Sequence, residues 1–194
     1  MRLYISVTKY CRVYLRYWLV VLLCLSTGTA LAEAFTIRSV ETRLVDRVYV
    51  LDARIDYTFS DQALDALQNG VPLIVLVDIE VKKERRWWLN KTIAELKQGY
   101  LLLYHALTEK YIINNLNSGA QENYNSLDSA VSALGDIQSL PILDAKLAED
   151  KGRYRVQLHT YLDLEALPAP MRPMAYISSQ WRLESEWYTW PLQP

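Results

Sequence analysis

The sequence predicts a mainly β fold, an antiparallel β-sandwich that is immunoglobulin-like in outline, with two short helices. Three observations carry this. In the stretch from Val71 to Trp88, Val71, Leu73, Val75, Val77, Ile79 and Val81 are apolar at every second position, with Asp78, Glu80, Lys82 and Glu84 between the later ones. A period of two puts one face on a core and one in water. From Val48 to Phe59 a second clean alternation sets Tyr49, Leu51, Ala53, Ile55, Tyr57 and Phe59 against Asp52, Arg54, Asp56 and Thr58. Such runs recur with short turns between them, the pattern of antiparallel sheets.

Taken in order, Phe35 to Val45 is a weaker strand joined to Val48–Phe59 by a turn at Asp46-Arg47. Ser60 then opens a short helix with Ala63, Leu64 and Leu67 as its apolar stripe. Gly70 and Pro72 end it. In the central strand that follows, Ile74 and Leu76 are also apolar, so its first half is expected to be buried on both faces. Ile93 to Thr108 fits either period, but Tyr100 to Tyr104 is apolar on all sides and Gly99 interrupts, which favours a long strand. A turn at Glu109-Lys110 and a strand from Tyr111 to Leu116 follow, then a polar loop from Asn117 to Asn125. The second helix runs from Ser126 to Leu134 and stops at Gly135. Leu140–Glu149 and Arg153–Leu164 read as a hairpin around Asp150-Lys151-Gly152. Pro168, Pro170 and Pro173 make a connector that cannot join a ladder. The segment from Tyr176 to Trp190 reads as a closing strand.

The N-terminus has the layout of an export signal. Its basic region ends at Arg16, an apolar stretch runs from Tyr17 to Leu25, and Ala30-Leu31-Ala32 is an A-x-A cleavage pattern. The apolar stretch is about half the ~20 residues of a membrane-spanning helix. The expected organisation is therefore a cleavable signal over residues 1–32 and one β-rich domain over 33–194, exported to the periplasm. Leu23 precedes Cys24 where a lipobox needs a small residue, so lipidation is not expected.

Residues 1–32 hold Arg2, Lys9, Arg12 and Arg16 and no acid, which leaves 17 basic against 22 acidic side chains in residues 33–194. A mildly acidic domain argues against nucleic acid as a partner. Cys11 and Cys24 both lie before residue 33, so the domain has no thiol chemistry, no disulfide and no cysteine-based zinc site.

No G-x-S-x-G, Gly-rich phosphate loop or H-E-x-x-H is present. Asp52 with Asp56, four apart, and Asp78 with Glu80, two apart, are pairs of acids on one strand face. Such pairs serve glycosidases, but they are also the ordinary charge of a solvated face. His105 and His159 lack the spacing of a metal site, so neither a metal nor a cofactor is expected. An outer-membrane barrel is disfavoured because nearly every strand carries charge on its outer face.

The aromatics give the surface clue. Arg85-Arg86-Trp87-Trp88 closes the central strand, and Trp181, Trp187 and Trp190 crowd the C-terminus. Tryptophan beside arginine suits a sugar, a protein partner or a membrane interface, while the plain alternative is that these rings cap the ends of the sandwich.

Several stretches together resemble an exported proteobacterial family known as domain of unknown function 4390. They are the F-T-I-R-S-V-E start at Phe35, Arg86-Trp87-Trp88, Tyr104-His105-Ala106-Leu107 with Tyr111, the helix at Ser126-Leu127, and Trp181 to Trp190. None is a catalytic motif. The resemblance implies a signal peptide, one domain, and genes often neighbouring a membrane sensor histidine kinase. It carries over no functional residue. The expectation is a periplasmic, non-enzymatic interaction module using Arg85, Arg86, Trp87, Trp88, Trp181, Trp187 and Trp190, with a sensor kinase or another envelope protein as partner. The alternative is a glycan or small-ligand binder with weak hydrolase activity through Asp78 or Glu80.

Overall fold

The computed structural model describes residues 34–85, 90–148 and 152–192. Two antiparallel sheets form the fold. Strands β1 (Phe35–Val45), β2 (Val48–Tyr57) and β7 (Asp136–Asp144) make the smaller sheet, in the order β1-β2-β7. The larger has the order β6-β5-β4-β3-β8-β9. Its strands are β3 (Leu73–Lys83), β4 (Lys91–His105), β5 (Lys110–Asn115), β6 (Gln121–Tyr124), β8 (Tyr154–Leu162) and β9 (Tyr188–Pro191). The protein is thus a mainly β sandwich. Its immunoglobulin-like outline holds at the level of two facing antiparallel sheets, while the three-plus-six strand order is its own.

The core follows from the alternations. Leu73, Val75, Val77, Ile79 and Val81 of β3 are fully buried. They face Tyr49, Leu51, Ala53, Ile55 and Tyr57 of β2 across the sandwich, and Val156, Leu158 and Leu162 of β8 extend the layer. The buried Tyr57 hydroxyl and Thr160 hydroxyl satisfy each other at 3.2 Å, bonding one sheet to the other. Residues Glu33–Pro194 form one compact unit, and the buried side chains of its core lie between Phe35 and Leu183. The unit therefore carries its own hydrophobic core.

The β1–β2 hairpin forms as expected, with Asp46 and Arg47 both at positive φ as a two-residue turn of this twist requires. Helix α1 (Asp61–Gln68) begins at Ser60, whose hydroxyl accepts from the Ala63 amide at 3.2 Å, and Gly70 follows it at φ 81°. Helix α2 (Leu127–Leu134) begins at Ser126, whose hydroxyl accepts from the Ser129 amide at 3.2 Å. Residues 93–105 belong to β4, so the strand reading of this stretch stands.

Five expectations need correction. β7 and β8 are not a hairpin. β7 pairs with β2 in the small sheet, β8 pairs with β3 and β9 in the large one, and a 3-10 turn at Ala145–Ala148 begins the crossing. β8 alternates, and alternation reports burial without naming the partner strand. The stretch Tyr176–Trp190 is mostly not a strand. It begins in the last turn of helix α3 (Arg172–Ile177) and holds a 3-10 turn at Ser179–Trp181, then a single bridge from Glu184 to Tyr161 before β9. Pro173 favours that helix start, because its missing amide falls where no helical acceptor exists. The loop over Asn117–Asn125 contains β6, which its polar residues hid because they lie at a sheet edge. Ile74 and Leu76 are half-buried, so the first half of β3 is covered fully on one face only. Three α-helices and two 3-10 turns stand among the described residues where two helices were expected.

Candidate functional site

The larger sheet is wider than the smaller one, so β5 and β6 extend past the free edge of β7. The inner face of this overhang bounds a cleft of about 510 Å³. Tyr100 of β4, Ile113 and Asn115 of β5, and Glu122 and Tyr124 of β6 line one side. Ala133 and Leu134 of α2 close one end, and Asp136, Ile137, Gln138 and Leu140 of β7 line the other side. Its size falls within the range of ligand sites.

Local structure explains each wall. The residue that ends α2, Gly135, must be glycine, because a Cβ there would lie 1.9 Å from the Ile55 carbonyl oxygen. The Gly135 carbonyl accepts from the Ile55 amide at 2.9 Å, so the helix end is docked on β2 and β7 starts beside it. On β7, Gln138 and Ser139 together oppose Asp52, a β-bulge with Ser139 at φ 50°. Asp52 holds the bulge by accepting from the Ser139 amide at 2.8 Å and from Arg43 Nε at 2.7 Å. Arg43 Nη2 also donates to Ser139 Oγ at 2.7 Å. The Arg43 guanidinium and the Ser139 amide hold the Asp52 carboxyl below its ordinary range. Asp52 is therefore a structural clamp. Asp56 is bound to Arg38 at 2.5 Å.

The cleft groups are suited to holding a ligand. Tyr124 donates to Glu122, and this acceptor pushes the phenol up to about 12. Burial pushes the Tyr100 phenol up as well. Both phenols stay neutral donors near neutral pH. Gln138 donates to Asp136 at 2.7 Å. Neither Glu122 nor Asp136 has an ion-pair partner among the described residues. Among the described residues β6 and β7 each have one unpaired edge, and both strands line the cleft.

The predicted aromatic cluster separates. Trp181 is 5% exposed and belongs to the core, so it offers no surface. Trp187 is 47% exposed and stacks on His159 on the outer face of the large sheet, at 4.9 Å between ring centres. His159 in turn stacks on Tyr161 at 5.1 Å. Trp187 and Tyr161 thus each set one ring face against His159. Trp190 pairs with Val156, is half-buried against the core, and has its Nε1 hydrogen buried without an acceptor among the described residues. Arg85 lies at the same end of the large sheet, since Glu84 just before it donates its amide to the Arg153 carbonyl at 2.8 Å. Arg86, Trp87 and Trp88, and Ala30 and Ala32 of the cleavage pattern, lie outside the described residues.

Asp78 and Glu80 lie on that outer face, beside Lys97 at 3.4 Å and Lys82 respectively, and line none of the four cavities found. His105 ends β4, with its Nδ1 3.0 Å from the Thr108 hydroxyl. Among the described residues no group of histidines, cysteines and acids is placed to hold a metal ion. No helix among them is long and apolar enough to cross a membrane.

The sequence readings missed the cleft, because its walls come from β4, β5, β6, α2 and β7. Bulge and overhang leave no local pattern in the chain. Neither the curated proteins nor the solved structures include a match to this chain. A family does match, over residues 32–191, and on that span the chain belongs to the family described as Domain of unknown function (DUF4390).

Proposed function

We propose that the protein is a non-enzymatic interaction module, exported to the periplasm, that takes an extended segment of an envelope protein into the β6–β7 cleft. The observation that carries this reading is the overhang itself, where two free strand edges from different sheets border one half-apolar cleft. A strand added to either edge gains main-chain hydrogen bonds, while the cleft walls read alternate side chains. The partner that the family resemblance suggests is the extracytoplasmic part of a membrane sensor histidine kinase. The A-x-A pattern supports the location.

Site-specific photo-cross-linking in cells tests it. A cross-linker at Gln138, in the cleft, should capture one envelope protein, and one at Arg54, exposed on β2, should not. Ala133→Trp, which fills the cleft, should abolish the Gln138 adduct. The same adducts from both positions, unchanged by Ala133→Trp, would sink the reading.

A further inference from the structure

One end of the sandwich combines exposed apolar tips with unpaired cations. Three observations place its parts together. The Ala145 amide donates to the Arg47 carbonyl at 2.8 Å, joining the β1–β2 turn to the 3-10 turn at Ala145–Ala148. Four peptide links then connect Ala148 to Gly152 at the start of β8, at most about 14 Å of chain. The Glu84 amide donates to the Arg153 carbonyl at 2.8 Å, which adds the end of β3.

At this end Leu44 is 45% exposed, Val45 40% and Leu147 57%. All three sit on or beside turns, so they project outward instead of lining a groove. Around them Arg47, Arg85, Lys91, Lys146 and Arg153 are exposed, and none has an ion-pair partner among the described residues. Lys82 and Arg155 add charge beside Glu80 and Glu84, and Lys83 lies over the Tyr154 ring. The carboxylates here are Asp46 and Asp144, besides Glu80 and Glu84. Eight of the 17 basic side chains of residues 33–194 are thus gathered at one end of a domain that carries 22 acidic ones.

We infer that this end docks on an anionic phospholipid surface, with Leu44, Val45 and Leu147 in the headgroup boundary and the surrounding cations against phosphates. Apolar protrusions ringed by basic residues suit a fluid surface that closes around them. A protein partner would need concave pockets matched to each protrusion. The inference is independent of the cleft.

Co-sedimentation of residues 33–194 with vesicles tests it. The domain should partition onto phosphatidylcholine vesicles that contain phosphatidylglycerol, not onto phosphatidylcholine alone, and binding should fall as salt rises. Arg47→Gln and Lys146→Gln should each lower the partition coefficient roughly five-fold, the factor for about 1 kcal/mol per basic residue at such a surface. Leu147→Ser should lower it as well, and Arg54→Gln, at the far end of β2, should leave it unchanged. Thermal melts check that each variant folds. Absence of binding to the anionic vesicles would overturn the inference, and so would binding that Arg47→Gln, Lys146→Gln and Leu147→Ser all leave intact. Binding to polyglutamate but not to vesicles would overturn it in favour of an acidic protein.

Discussion

Gly135→Ala tests how α2 is docked and hence how the cleft is built. The backbone of Gly135 has φ −82°, a conformation any residue adopts, so the cost is steric. A Cβ at this position would stand 1.9 Å from the Ile55 carbonyl oxygen. Relief requires a shift of more than about 1 Å between the helix end and β2, since carbon and oxygen need roughly 3 Å or more. That shift breaks or weakens the bond from the Ile55 amide to the Gly135 carbonyl, about 1 kcal/mol. Overpacking adds about 1–3 kcal/mol. The expected loss is therefore about 2–4 kcal/mol, or roughly 5–15 °C in Tm for a domain of this length. Gly70→Ala is the control. Gly70 has φ 81° with nothing within 4 Å of a built Cβ, so it should lose only about 1 kcal/mol, from backbone strain. Urea unfolding followed by tryptophan fluorescence measures both. A Gly135→Ala loss below about 0.5 kcal/mol would refute the docking argument.

Trp181→Ala should cost about 3–5 kcal/mol because the ring is in the core, whereas Trp187→Ala should cost under about 1 kcal/mol; equal losses in urea melts would contradict the separation of the two. The Tyr57 phenol is raised by burial, so the folded state resists its ionisation. Its contribution is fully present below the unfolded value near 10 and is lost as pH rises beyond that, and Tyr57→Phe should flatten the alkaline fall in Tm. Asp52 is lowered, first by its hydrogen bond to Arg43. Its contribution is present above the unfolded value near 4 and is lost as pH falls through the folded one, so Asp52→Asn should flatten the acid limb of the stability profile. The same variant releases the Ser139 bulge, so hydrogen exchange at Gln138 and Ser139 should quicken.

Where one residue's neighbours decide its environment, the sequence was sufficient. The alternation from Leu73 to Val81 and from Tyr49 to Phe59, the Ser60 and Ser126 caps and the Asp46-Arg47 turn all appear where expected. Sheet membership is set by distant contacts, and there the reading failed. Arg153 to Leu162 alternates as a good strand, yet its partners are β3 and a four-residue strand near the C-terminus. The tryptophans show the same limit. Trp181 and Trp187 read alike in sequence, but the inward alternation of Trp181, Leu183 and Ser185 breaks before β9, which turns Trp187 out onto His159. Asp52 looked like surface charge until Ser139, far along the chain, was found in its grasp.

The account rests most on the cleft between the two free strand edges. Amide hydrogen exchange on the domain bound to the segment captured from Gln138 tests it directly. The account predicts slowed exchange at Gln121–Tyr124 of β6 or at Asp136–Leu140 of β7, with the remaining strands unchanged. Protection confined to the outer face around His159 and Trp187, with β6 and β7 exchanging as in the free protein, would contradict it.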